Sequence, residues 1–127
     1  MPIVKQLVVT LDNRPGALAL LCSELAKVAV NINGIQAAET GPISPVRLLV
    51  SHIDAARKVC ETLGLKCVEE SALALSLGHR PGALGRAMRK LGAKGINVDY
   101  VYGTTDKSTR RAIIVVGVSD LAAATAT

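Results

Sequence analysis

The feature that most constrains the fold of this chain is an internal repeat. The sequence RPGAL occupies residues 14–18 and occurs again at residues 80–84, a shift of 66 positions from 14 to 80. Because chance does not maintain register over about forty positions, we predict one structural module used twice, at residues 1–70 and 71–127. The same shift relates further pairs without a gap: Leu25 and Leu91, Asn31 and Asn97, Val50 and Val116, and Asp54 and Asp120.

Each module is predicted to begin with a strand and a helix. Residues 5–11 (KQLVVTL) and 71–77 (SALALSL) have the apolar composition and spacing of strands. The apolar residues that follow Pro15 and Pro81 recur at helical spacing. Proline is favoured in the first turn of a helix, so both prolines are expected there.

The end of the repeat differs between the modules. Two further strands follow the first helix in each, and in the first module a helix from Asp54 leads to a fourth strand at 66–70 (KCVEE). In the second module only LAAATAT follows Asp120, so no fourth strand is expected. The predicted fold class is α+β, with two ferredoxin-like βαββαβ modules, antiparallel sheets with helices on one face, and a second module that lacks its last strand.

Composition narrows the function. The chain has no Phe or Trp, so it lacks the ring faces on which single-stranded nucleic acids stack, and Tyr100 and Tyr102 are its only phenol rings. Its three cysteines form no disulfide framework and are expected to be small buried residues. The first ten residues do not resemble a signal peptide and no run of eighteen apolar residues occurs, which favours a soluble cytoplasmic protein without a membrane segment.

The RPGAL motif has a structural interpretation. A strand must end and a helix must begin there, and Asn13 or His79 could accept a hydrogen bond from a helix N–H group that has no other partner. This interpretation does not explain why glycine occurs in both copies, at Gly16 and Gly82.

The motif also has a functional interpretation. Glycine lets a ligand or another backbone approach the start of a helix, where free N–H groups and the helix dipole favour a carboxylate or phosphate. Arg14 and Arg80 fit the same hypothesis, since a cation there is unfavourable unless an anion binds.

Two long segments resemble ACT domains: LDNRPGALALLCSELAKVAVNINGI at 11–35 and LGHRPGALGRAMRKLGAKGINVDYV at 77–101. The resemblance covers nearly the whole chain and implies a stand-alone tandem ACT protein that binds a free amino acid as effector, at the seam between the first strand–helix loop of one module and a strand of the next. His79 stands where the family usually has Asp or Asn. The residues that the resemblance assigns to the ligand are Asn13, Arg14, Gly16, Ala17, Leu18, Asn31 and Ile32, with the equivalents His79, Arg80, Gly82, Ala83, Leu84, Asn97 and Val98.

Charge is distributed unevenly between the modules. Residues 1–71 contain seven basic and seven acidic residues, whereas residues 72–127 contain eight and three. Arg86, Lys90 and Lys94 lie at helical spacing, either as a solvated helix face or as a docking surface for an acidic protein or nucleic acid.

No constellation of nucleophile, base or metal ligands indicates an enzyme. His52 and His79 have no Cys or carboxylate at metal-ligand spacing, so neither a metal nor a cofactor is predicted. Acylphosphatases share the predicted architecture, but NRPGAL is a poor match to their anion-binding loop. Because the missing strand leaves one side of 71–77 without a partner, we expect a homodimer with contact along the outer strands, or pairing of the two modules into one sheet.

Overall fold

The computed structural model describes residues 2–106 and 108–126, which form six strands and four helices. In chain order they are β1 (Ile3–Asp12), α1 (Ala17–Lys27), β2 (Ile32–Ala37), β3 (Ile43–Val50), α2 (Ile53–Thr62), β4 (Cys67–Gly78), α3 (Ala83–Ala93), β5 (Val98–Asp106), β6 (Arg111–Val118) and α4 (Leu121–Thr125).

The chain folds into two compact units. Among the described residues, the first unit comprises 5–70, and the second comprises 71–106 and 108–126 together with 2–4. The sequence predicts two separate strands at 66–70 and 71–77. The structure has one continuous strand there, β4, which begins one residue later, at Cys67. Each unit has its own hydrophobic core.

The first unit is an antiparallel sheet with α1 and α2 on one face. Its strand order is β2-β3-β1, and the beginning of β4 lies beside β1, where the Thr10 N–H donates to the Lys66 carbonyl oxygen at 2.9 Å. Alternate β1 residues point to one face of a sheet, so Leu7, Val9 and Leu11 all reach the core. The remaining core residues are Leu21, Leu25, Val30, Val46, Leu48, Ala56 and Cys60.

The second unit repeats this plan with β4, β6 and β5 in the order β4-β6-β5. No fourth strand follows α4 within the residues that the structure describes. The predicted fold class is confirmed: α+β, ferredoxin-like, with antiparallel sheets. Its core consists of Leu73, Leu75, Ala87, Leu91, Ile96, Val116 and Ala124.

The start of the chain occupies the position of the fourth strand in the second unit. The Ala74 N–H donates to the Pro2 carbonyl oxygen at 2.9 Å, on the side of β4 that does not pair with β6. The sequence leaves this side of 71–77 without its usual partner, the fourth strand of the same module, and at Ala74 the carbonyl group of Pro2 takes that place. The partner comes from the opposite end of the chain.

The repeat is not gapless. Ile32 pairs with Val50 in the first unit and Val98 pairs with Val118 in the second, so the third strands are related by a shift of 68 positions from 50 to 118. The alignment of Val50 with Val116 is therefore wrong. The two additional residues lie in the β5–β6 hairpin, where β5 has nine residues against six in β2.

The same two-residue shift moves the start of the second helix. His52 is the N-cap residue of α2, and Asp120 is the N-cap residue of α4, where its side chain accepts the Ala123 N–H at 3.0 Å. Asp54, which the sequence repeat aligned with Asp120, instead lies inside the first turn of α2.

Candidate functional site

The two RPGAL loops have the same backbone geometry. Gly16 and Gly82 are the N-cap residues of α1 and α3, with φ values of 87° and 89° in the left-handed region that favours glycine. In each loop the alanine N–H of RPGAL donates to the arginine carbonyl oxygen at 3.3 Å, and this hydrogen bond closes the turn. Both prolines therefore precede their helices, and their predicted position in the first helical turn is wrong.

The left-handed conformation is itself a sufficient reason for glycine. A Cβ atom added to Gly16 would meet no atom within 4 Å, so no part of the chain packs against that position. A Cβ on Gly82 would lie 2.9 Å from Nη1 of Arg86, the flexible end of a side chain. The space in front of Gly16 is therefore open, whereas the end of the Arg86 side chain lies in front of Gly82.

Neither helix is capped by the side chain that the sequence suggested. The Asn13 side chain donates from Nδ2 to the Gly41 carbonyl oxygen at 3.0 Å. In both loops the N-cap position is held by a glycine without a side-chain hydrogen bond. The capping hypothesis for Asn13 and His79 is wrong: no side chain caps either helix, and the first N–H of each is bonded to the arginine carbonyl oxygen of its own loop.

A cavity of about 490 Å³ lies beside the second loop. The predicted residues of this loop line it, together with the end of β5 and the facing part of β6. It combines an apolar wall with Arg80 and the start of α3. Its lining residues are Leu77, Gly78, His79, Arg80, Gly82, Ala83, Leu84, Gly85, Val101, Tyr102, Gly103, Thr104, Thr105, Ala112 and Ile114.

A cavity of about 240 Å³ occupies the corresponding position in the first unit. It brings together Asn13, Arg14 and Leu18 with the end of β2, whereas Gly16 and Ala17 do not line it. Its wall carries two carboxylates, Asp12 and Glu39. The cavity beside the second loop is thus the larger of the two, and no carboxylate lines it.

Asn31 and Asn97 lie at the other end of their sheets. The N–H of each is bonded to a serine hydroxyl, Ser51 Oγ at 2.9 Å and Ser119 Oγ at 3.0 Å. With about 3.3 Å of rise per strand residue, the six residues of β2 separate Asn31 from the loop end of the sheet by roughly 20 Å. Asn31, Ile32, Asn97 and Val98 line neither loop cavity, so within one unit they form no common site with the glycines.

The residues from β5 and β6 are the ones that sequence reasoning did not include. Gly103 offered a signal, because an isolated glycine inside a strand often marks a close approach. A Cβ there would lie 2.6 Å from the Ile113 carbonyl oxygen. This glycine helps to keep the wall of the cavity free of a side chain.

Metal-ligating side chains and cysteine thiols are the other reactive groups in the described part of the chain. Residues 2–106 and 108–126 bring no three His, Cys, Asp or Glu side chains together in a group that could hold a metal ion. Cys60 is buried, whereas Cys22 and Cys67 are half-buried, and all three are free thiols. Burial and the neighbouring Cys67 raise the pKa of Cys60 to about 12, so this thiol is protonated at neutral pH.

Among the described residues, no helix is both long enough and apolar enough to span a membrane.

The fold has counterparts among solved structures. No protein-family model and no curated protein matches the sequence. Protein BT0572 from Bacteroides thetaiotaomicron has a TM-score of 0.90 and 26% identity, over 98% of this chain and 85% of that one. The regulatory subunit of aspartate kinase from Thermus thermophilus has a TM-score of 0.62 at 13% identity, covering 91% and 87% of the two chains, and the one from Thermus flavus has 0.59 at 12%, covering 91% and 86%.

These comparisons and the geometry define the class of fold. The chain has an ACT-like fold built from two βαβ-type units with glycine loops at equivalent positions.

Proposed function

We propose that this chain is a cytoplasmic regulatory protein that binds a free amino acid without transforming it, at the glycine loop of its second unit. The observation that carries the proposal is the 490 Å³ cavity, which joins five predicted ligand residues to an apolar wall. Pockets of about 300–1,000 Å³ with a few polar groups are typical small-molecule sites. Two solved proteins with the same fold are regulatory subunits of aspartate kinase, which supports a regulatory role.

The cavity offers a place for each part of an amino acid. A carboxylate is favoured at the start of α3, where Gly82 leaves the first-turn amides uncapped and Arg80 adds a positive charge. β5 lies at the edge of the sheet, so outward-facing carbonyl groups can accept from an ammonium. Val101 and Ile114 provide an apolar surface, which favours an amino acid with an apolar side chain.

The first loop is a poorer candidate for the same ligand. Its cavity has about half the volume and carries Asp12 and Glu39, which repel a carboxylate. Arg14 lies 3.5 Å from Asp12, so its charge is already compensated. We therefore propose one ligand site per chain.

Thermal unfolding with each common amino acid at millimolar concentration tests the proposal. A ligand present at a hundred times its dissociation constant should add about 2.7 kcal/mol to the stability. Leu84→Glu introduces a carboxylate beside the second loop, which should repel the ligand carboxylate and abolish the shift. The variant should still fold, because Leu84 is 43% exposed and the change costs little folding energy. Leu18→Glu, at the equivalent exposed position of the first loop, is the matched control and should retain the shift.

Two results would contradict this proposal. If no amino acid raises the unfolding temperature of the folded protein, the chain is not an amino-acid sensor. If Leu18→Glu removes the shift as completely as Leu84→Glu, the ligand does not bind at the second loop.

The proposal includes a homodimer that forms along the outer strands. β2 and β5 lie at the edges of their sheets, and Ile35 and Val101 on them are 42% and 41% exposed. Such edges pair readily with other chains. Light scattering at micromolar concentration should give twice the 13.2 kDa chain mass, and Ile35→Lys should weaken the assembly. A monomer would contradict the dimer but not ligand binding.

A further inference from the structure

A second cavity of the second unit has a different chemistry. It measures about 520 Å³ and lies between the start of the chain, β4 and α3. Four basic side chains line it, Arg80, Arg86, Lys90 and Arg111, and no acidic residue does. It adjoins the loop cavity at Arg80, which lines both.

The basic side chains are placed around an apolar floor. Ala83, Arg86, Ala87 and Lys90 have the spacing of one helix face, so α3 contributes two cations and two alanines to the cavity from the same side. Leu75 of β4 completes the floor and is 5% exposed.

One of the four cations is held in position. Arg111 donates from Nη2 to the Ser76 carbonyl oxygen at 2.6 Å and from Nε to Ser76 Oγ at 3.2 Å. These bonds hold the guanidinium in the lining of the cavity while leaving it charged. A fixed guanidinium loses less side-chain entropy when it binds an anion.

The positive charge of the cavity is not compensated by the protein. Within residues 2–106 and 108–126, no carboxylate forms an ion pair with Arg80, Arg86 or Lys90. Arg86 and Lys90 are four residues apart on α3, a spacing at which like charges destabilise a helix. An arrangement of this kind is stabilised by an anion.

The first unit shows that the fold does not require this charge. Arg14, the counterpart of Arg80, is paired with Asp12, whereas Gly78 stands at the position of Asp12 in the second unit. The counterparts of Arg86, Lys90 and Arg111 in the first unit are Leu20, Glu24 and Ile43.

We infer that this cavity binds a small organic molecule that carries a phosphate or diphosphate group. Guanidinium groups bind phosphate oxygens in pairs of parallel hydrogen bonds, and three arginines line the site. A phosphate alone would leave most of the 520 Å³ unused, and the apolar floor fits an organic part. This inference does not rest on the proposed amino-acid site.

Isothermal titration calorimetry with inorganic pyrophosphate as the charge probe tests the inference. Arg86→Leu and Lys90→Glu install the residues that the first unit has at these positions, and each should weaken binding about tenfold or more. Gly78→Asp restores the counterpart of Asp12 beside Arg80 and should also weaken it. Binding should fall as the salt concentration rises.

Matched controls separate the cavity from general surface charge. Arg89→Leu on α3 and Lys94→Glu at the C-cap of α3 make the same charge changes, but neither residue lines the cavity. These variants should bind pyrophosphate within about twofold of the parent protein, a difference that corresponds to surface-charge effects alone. The amino-acid shift in thermal unfolding should persist in Arg86→Leu, so the two proposals can fail separately.

Three outcomes would overturn the inference. Folded protein that gives no heat of binding with pyrophosphate has no such site. Equal losses in Arg89→Leu and Arg86→Leu would show diffuse attraction. Much tighter binding of a single-stranded oligonucleotide or of polyglutamate, lost in the same cavity variants, would show that the surface serves a macromolecule.

Discussion

The two units of this chain share a backbone plan and differ in how their charges are balanced. In the first unit Arg57 pairs with Asp54 at 2.7 Å and with Glu69 at 2.6 Å, and Arg47 pairs with Glu70 at 3.1 Å. In the second unit the excess of basic residues gathers around α3 and the start of β6. Equivalent core positions are apolar in both units, whereas the charged residues around the loops differ.

The contrast separates two roles of the repeated motif. Gly16 and Gly82 have nearly the same φ, so the loop conformation is common to both units. The cavities beside them differ twofold in volume and differ in their carboxylates. The motif therefore sets the loop conformation in both units, and residues of the neighbouring strands determine which ligand each loop can bind.

The largest effect is expected at the equivalent core leucines. Leu25→Ala and Leu91→Ala should each lower the free energy of unfolding by about 2–5 kcal/mol, because both side chains are at most 1% exposed and leave a cavity when removed. Hydrogen exchange should show the greatest loss of protection in the unit that contains the substitution. Equal loss in β1 and β6 from either variant would contradict two separate cores.

Alkaline pH should affect the first unit more than the second. Cys60 has a pKa of about 12 in the folded state against 9.0 as its ordinary value, so the unfolded thiol ionises first. The stability that this group contributes is complete below pH 9 and is lost between pH 9 and 12, at about 1.4 kcal/mol per pH unit. Equilibrium denaturation across this range measures it, and Cys60→Ala should flatten the slope. An unchanged slope in that variant would assign the effect to other groups.

Substitution of the loop glycines should lower the free energy of unfolding by less than the two changes above. Gly16→Ala and Gly82→Ala place a side chain at positive φ, at about 1–2 kcal/mol each. Gly82→Ala should cost more, since its Cβ must also displace the Arg86 guanidinium. Urea denaturation measures both, and an Arg86→Leu background should remove the difference. A larger cost at Gly16 would contradict the geometry.

The smallest effect is expected at the exposed ion pair of the first loop. Asp12→Gly copies the second unit and should change stability by no more than about 1 kcal/mol, because both partners are more than half exposed. Thermal unfolding in low and high salt measures the change, which salt should reduce. A loss that persists in high salt would mean that Asp12 has a structural role beyond the pair.

Much of the frame could be predicted from sequence because its causes are local. Apolar spacing predicted the first strand and the first helix of each unit, and the repeated glycines identified both loops. The succession of strands and helices along the chain followed from the same pattern, but the continuity of 67–78 as one strand did not. The role of glycine was only half predicted, since the sequence indicated an approach to the helix and the structure shows a left-handed backbone.

The rest depended on contacts that no local pattern specifies. The two additional residues of the β5–β6 hairpin shift the pairing that a gapless repeat implies, and Thr104 and Thr105 line the loop cavity through strand pairing rather than through a local motif. Pro2 lies beside Ala74 through a long-range hydrogen bond. Asn31 was grouped with the glycines by resemblance, and its place at the far end of β2 follows from strand direction.

The hydrogen bond between Ala74 and Pro2 also has a consequence for the order in which the chain folds during synthesis. About seventy residues separate the two partners, so the loop that they close is long and its closure is entropically costly. Synthesis adds about 5–20 residues per second. Residues 5–70 can form their own core as soon as they have left the ribosome. Residues 2–4 must wait until the second repeat has been translated. Residues 2–4 are therefore synthesised before residues 5–70 and reach their final place after them.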